Sequence, residues 1–101
     1  MNPARVRRDR LRRLTDLPNV GPATAGDFER LGFGSPQELA GVDPWELYER
    51  LCRATGVRQD PCVLDVFLSV TRFLAGEAPR PWWEYTDERQ RRWGDRLRRA
   101  R

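Results

Sequence analysis

The chain has 101 residues, of which 39% are apolar, and it carries 19 basic and 15 acidic side chains. Every basic residue is an arginine and there is no histidine, which excludes imidazole acid–base chemistry, histidine metal ligands and lysine Schiff bases. No apolar stretch is long enough to span a membrane and the first residues do not form a secretory signal, so we expect a soluble, cytoplasmic, non-enzymatic protein without metal or cofactor.

Basic charge is concentrated at the two ends of the chain. Residues 1–14 carry a net charge of +5 and residues 86–101 carry +4, whereas residues 15–85 carry −5. Basic ends commonly bind polyanions such as nucleic acid. They also keep small proteins soluble, and charge alone leaves both interpretations open.

Helix signals recur along the whole chain and predict an all-α fold. Ser35-Pro36-Gln37-Glu38 is a capping box, and Asp43-Pro44 and Asp60-Pro61 each place a capping residue before a proline. Glycines stand where several helices should end. The predicted helices span 4–16, 22–31, 36–40, 44–55, 61–75 and 86–98. They form a single domain, with a basic N-terminal helix in 1–16, a core in 17–78, and an aromatic segment and basic C-terminal helix in 79–101.

The segment 61–75 is apolar on nearly all sides, which predicts the central helix of the core. Asp65, Ser69 and Arg72 of this segment are expected to form a solvent-exposed edge.

A helix-hairpin-helix pattern is found between the first two predicted helices. The sequence Leu17-Pro18-Asn19-Val20-Gly21-Pro22 resembles that motif's hairpin, with Asn19 where the motif has its first glycine. A glycine before a helix lets an anion approach the free N–H groups of its first turn. The predicted DNA contacts in this hairpin are Asn19, Val20, Gly21, Ala23 and Thr24. The alternative is a purely structural turn between helices.

A second, degenerate hairpin is predicted between helices 44–55 and 61–75. Here Gly56 would make the turn, and Arg58 and Gln59 would be its polar groups. With 36–40 as a connector, the layout is a tandem helix-hairpin-helix-like domain of five helices with an added basic C-terminal helix.

Four segments in order resemble the small bacterial "pathogenicity locus" family, whose members are sometimes labelled mitomycin-resistance-like. They are residues 17–22, 47–52, 60–67 and 81–85, the last reading Pro-Trp-Trp-Glu-Tyr. The resemblance implies a helix-hairpin-helix fold and DNA binding.

Asp43 and the two cysteines suggest further sites, but each has a simpler structural interpretation. Asp43 lies 22 residues after Gly21, roughly where helix-hairpin-helix glycosylases keep a catalytic aspartate, but a helix cap explains it better. Cys52 and Cys62 are too few ligands for a metal site and are predicted to be buried thiols rather than a disulfide.

The aromatic cluster of Trp82, Trp83 and Tyr85 is predicted to pack over the core, with stacking on bases or a partner protein as alternatives.

The leading functional hypothesis is binding to duplex DNA phosphates without sequence specificity, in DNA repair or maintenance. The contacts would be the hairpin backbone amides and the arginines Arg8, Arg12 and Arg13. The alternative is a protein–protein adaptor that does not touch nucleic acid.

Overall fold

A computed structural model describes residues 5–99, and within that range the fold is all-helical, with four α-helices and no strand. The α-helices are α1 (Pro22–Arg30), α2 (Pro44–Thr55), α3 (Cys62–Leu74) and α4 (Thr86–Arg99). Short 3-10 turns occupy Arg8–Arg10, Leu14–Asp16, Pro36–Leu39 and Trp82–Tyr85. The predicted bounds of the four α-helices are therefore confirmed to within one residue, and 36–40 forms a 3-10 turn.

The predicted helices begin where their caps are. Glu38 accepts the backbone N–H of Ser35 at 2.8 Å in the expected capping box, and the Asp43 carboxylate accepts that of Trp45 at 3.2 Å. Gly56 ends α2 in the left-handed region at φ 68°. These helix ends could be predicted from the sequence because each capping signal acts on backbone groups within one turn.

The helix predicted at 4–16 is wrong over the described residues 5–16, which contain only 3-10 turns joined by extended backbone. The segment carries six arginines by residue 13, and like charges four residues apart, such as Arg8 and Arg12, destabilise a helix. Its apolar side chains, Val6, Leu11 and Leu14, are interrupted by arginines and do not form a continuous helical stripe, and they pack on the core without a helix. The five-helix arrangement predicted from this helix is therefore not what the structure has.

Helix α3 is the centre of the core, as predicted. Leu64, Phe67, Leu68 and Val70 are fully buried, and α3 packs against α2, α4 and the 3-10 turn Trp82–Tyr85. Leu17, Val20 and Phe28 close the core from the side of the first hairpin and α1.

The predicted solvent-exposed edge of α3 is wrong at two of its three positions. Asp65 and Ser69 are buried, at 0% and 1% exposure, because each has a polar partner from another segment. The Asp65 carboxylate forms an ion pair with Arg89 of α4 at 2.9 Å and accepts the Thr86 hydroxyl at 2.8 Å. The Thr86 hydroxyl at the start of α4 is therefore bonded to α3.

Aromatic packing attaches α4 to α2. The rings of Trp45 and Trp93 stack with centroids 6.0 Å apart, and Leu97 is buried one turn later. The C-terminal basic segment is thus a packed helix of the fold up to Arg99, and not a solvated tail.

Candidate nucleic-acid interface

The first hairpin has the backbone that its sequence predicts. Asn19 adopts the left-handed region at φ 64°, the conformation that a glycine would otherwise supply. Its side-chain amide donates to the Ser69 hydroxyl at 2.9 Å and to the Arg80 carbonyl at 2.8 Å. Asn19 therefore fastens the hairpin to α3 and to the segment before the aromatic residues.

The N-terminus of α1 is open at this hairpin. Gly21 is the N-cap residue with extended backbone (φ −93°, ψ −174°), and no side-chain hydrogen bond caps it. The first turn of α1 contains no acidic residue, and a Cβ built on Gly21 would meet no atom within 4 Å. Backbone N–H groups such as those of Ala23 and Thr24, backed by the helix dipole, are suited to an anion.

The Val20 side chain is not available to DNA. It is fully buried in the core together with Leu17. The predicted role of Val20 in DNA contact is limited to its backbone, while Ala23 is exposed and Thr24 partly so.

Asp16 lies close to the hairpin in sequence, but it is engaged elsewhere. Its carboxylate accepts the backbone N–H groups of Arg12 and Arg13 at 2.9 and 2.8 Å. These hydrogen bonds to the charged form hold the pKa of Asp16 below its usual value. The same carboxylate fixes the turn that carries the two arginines.

The three predicted arginine contacts divide into two groups. Arg12 and Arg13 are exposed and line a groove of about 290 Å³ alongside Ala25 and Glu29 of α1. Arg8 instead donates to the carbonyls of Phe73, at 2.5 Å, and Glu77, at 2.7 Å.

The Arg8 guanidinium also lies 4.0 Å from the centre of the Phe73 ring. It closes the C-terminal end of α3, where a positive charge meets the last carbonyls of the helix and the negative end of the helix dipole. The structure thus places Arg8 in the fold, apart from Arg12 and Arg13.

The second hairpin differs from the first at the helix start. The Asp60 carboxylate accepts the backbone N–H of Cys62 at 2.9 Å, so a negative charge already occupies the N-terminal end of α3. That hydrogen bond lowers the pKa of Asp60. Backbone binding of phosphate is therefore less favourable at Gly56 than at Gly21.

The polar groups of the second hairpin contact α2 and α4. Arg58 donates to the Leu97 carbonyl at 2.5 Å and to the Tyr48 hydroxyl at 3.3 Å. The Gln59 side chain donates to the Thr55 hydroxyl at 3.0 Å. Burial raises the pKa of Tyr48, which stays a neutral phenol.

The aromatic cluster divides between core and surface. Tyr85 is 3% exposed, and no described residue gives its hydroxyl a hydrogen bond. Trp83 is 61% exposed, and its ring meets that of Trp82 edge to face at 5.7 Å. Packing over the core is confirmed for Tyr85, whose side chain is therefore not available to a partner. The exposed Trp83 side chain is accessible.

Both cysteines are free thiols, as predicted, but both are partly exposed and not buried. The Cys52 sulfur accepts the Gln59 backbone N–H at 3.4 Å, and burial with the neighbouring Asp60 raises the pKa of Cys62. Among residues 5–99 there is no cluster of side chains suited to a metal ion, and no helix is long and apolar enough to cross a membrane.

The structure thus places the Arg12–Arg13 turn against α1 at Ala25 and Glu29. Arg8, Arg58 and Gln59 bond to other parts of the fold. The main feature that sequence reasoning missed is the packing of α4 beside the second hairpin. Trp93 and Leu97, spaced four residues apart in an otherwise charged helix, are the signal that indicates it.

Comparison with known proteins identifies the family. The Cdd1 family model, described as "Pathogenicity locus", matches residues 7–91. The chain belongs to this family. It is also 49% identical over 78 residues to a Streptomyces lavendulae protein named mitomycin resistance protein McrB, which covers 77% of this chain and 74% of that one. No solved structure matches the chain.

The family match includes both hairpins and the start of α4. It ends before Trp93 and Leu97, so the second half of α4 lies outside the part that this Cdd1 chain shares with the family model.

Proposed function

We propose that this Cdd1-family protein binds duplex DNA through its phosphates, without sequence specificity and without catalysing a reaction. The observation that carries the proposal is the open N-terminus of α1 at Gly21. Arg12 and Arg13 are exposed along the same helix, in the groove with Ala25 and Glu29. Backbone amides and arginines there would hold phosphate oxygens and read no base. On this proposal the segments 17–22 and 56–61 are two helix-hairpin-helix-type turns of unequal binding capacity.

A role in DNA repair or maintenance follows as part of the proposal. The relative from Streptomyces lavendulae is named for resistance to mitomycin, and a DNA-binding protein that acts in repair is one way to provide resistance. The absence of histidine and lysine from the sequence supports a non-enzymatic role.

The experiment that tests the hairpin is the substitution Gly21→Ala. Because Gly21 has a negative φ and open space around it, the variant should keep its fold and melting temperature. The added methyl group stands where an anion would approach the α1 amides. Affinity for duplex DNA should fall at least about tenfold, or 1.4 kcal/mol.

Gly26→Ala is the matched control. Gly26 lies in the same helix, and its Cβ would also meet no atom within 4 Å, so this variant should gain about 1 kcal/mol of stability and keep its affinity. If Gly21→Ala binds DNA as tightly as Gly26→Ala, the hairpin is only a connector.

One observation favours a second function. Trp83 exposes 61% of its surface beside Trp82, and exposed aromatic residues are enriched where proteins bind each other. A protein–protein adaptor would lose its partner with Trp83→Ala and would show no affinity for DNA.

A further inference from the structure

A groove lies between the second hairpin and α4, and residues of both segments line it. It has a volume of about 590 Å³ and is lined by Arg58 and Gln59 on one side and by Arg89, Gln90, Gly94 and Arg98 on the other. This volume is in the range of ligand-binding clefts. None of the described residues that line it is acidic.

The three arginines of the groove differ in how strongly they are already engaged. Arg89 is 12% exposed and forms the ion pair with buried Asp65, so its charge is neutralised within the fold. Arg58 holds the Leu97 carbonyl, which fixes its guanidinium at the wall between the hairpin and α4. Arg98 is 72% exposed and pairs with Asp95, which is 77% exposed.

The Arg98–Asp95 pair is the part of the groove that can exchange partners. An ion pair between two exposed side chains contributes little free energy, so Arg98 can turn from Asp95 to a phosphate at low cost. Gly94 has no side chain to narrow the groove, and a Cβ added there would lie 3.8 Å from a nitrogen of the Arg98 guanidinium. The Gln90 side chain is exposed beside it and offers amide donors.

We propose that this groove is a second phosphate-binding site, in which Arg98 and Gln90 of α4 and Gln59 of the second hairpin hold the sugar–phosphate backbone of DNA. The proposal rests on the proposed function, and it assigns to α4 a direct contact that the capped start of α3 cannot make. The second hairpin then contributes through side chains, whereas the first contributes through backbone amides.

The test compares Arg98→Gln with Arg99→Gln. The two variants lose the same charge from adjacent exposed positions, but Arg99 lies on the opposite face of α4 from Gln90 and does not line the groove. Duplex affinity is measured over a series of salt concentrations. Arg98→Gln should reduce the log–log salt slope by about 0.9, the loss of one phosphate contact, and Arg99→Gln should leave the slope unchanged.

A second readout locates the contact directly. The chain has three glutamines, and the side-chain amide resonances of Gln59 and Gln90 should shift on titration with duplex DNA. Equal slopes for the two arginine variants, or unshifted Gln59 and Gln90 resonances while Gly21→Ala still weakens binding, would overturn the groove and leave the first hairpin intact. Absence of any DNA binding by the wild-type protein would overturn both proposals.

Discussion

Substitution of Arg89 by methionine is expected to destabilise the protein by about 3–5 kcal/mol, because it leaves the Asp65 carboxylate buried without its counter-ion. Asp65 has 0% exposure and Arg89 only 12%, so water cannot replace the guanidinium without opening the contact between α3 and α4. Urea unfolding followed by circular dichroism measures the loss. At about 4–8 °C per kcal/mol for a domain of this size, the melting temperature should fall by more than about 12 °C.

Two controls separate the buried charge from lost packing. The double substitution Asp65→Leu/Arg89→Met removes both charges and should recover most of the stability, since apolar replacement of a buried pair is often neutral. Asp95→Asn breaks the exposed pair with Arg98 and should change stability little. A loss below about 1 kcal/mol for Arg89→Met, or a double variant as unstable as the single one, would contradict this account of how α4 is attached.

Asn19→Ala is expected to lower the free energy of unfolding by about 3–4 kcal/mol. Alanine at φ 64° pays about 1–2 kcal/mol for the left-handed conformation, and two hydrogen bonds, to Ser69 and Arg80, are lost at about 1 kcal/mol each. Equilibrium unfolding in urea gives the total.

Asn19→Gly divides this loss into its parts. Glycine tolerates the positive φ but cannot make the hydrogen bonds, so the variant should be intermediate, about 2 kcal/mol less stable than wild type. If Asn19→Gly is as stable as wild type, the side-chain hydrogen bonds of Asn19 do not stabilise the hairpin. Position 19 would then require only a residue that tolerates a positive φ.

The sequence predicted α1 to α4 because their start and stop signals are local. A capping residue, a proline and a glycine each act on backbone groups within one turn, so Asp43 and Gly56 mark the ends of α2 without knowledge of the rest of the fold. The helix predicted at 4–16 did not form, although arginine alone is a good helix former. Repulsion between its arginines, and the contact of Arg8 with Phe73, are stronger than that propensity.

Long-range polar pairing was not predictable in the same way. Nothing near Asp65 in sequence indicates that Arg89, 24 residues later, would bury its carboxylate. For the same reason the DNA-contact hypothesis grouped arginines by sequence, whereas the structure assigns Arg8 to the end of α3 and Arg58 to the C-terminal part of α4. The backbone of the first hairpin was predictable, because Asn19 and Gly21 are restricted by their own conformations.

The most direct test of the account is a titration of the wild-type protein with duplex DNA of two unrelated sequences at about 50 and 200 mM salt. We expect equal affinities for the two sequences and a steep loss at the higher salt, with a slope that reports several phosphate contacts at about 0.9 each. No binding at the lower salt, or affinity that depends on sequence but not on salt, would contradict phosphate binding by this protein.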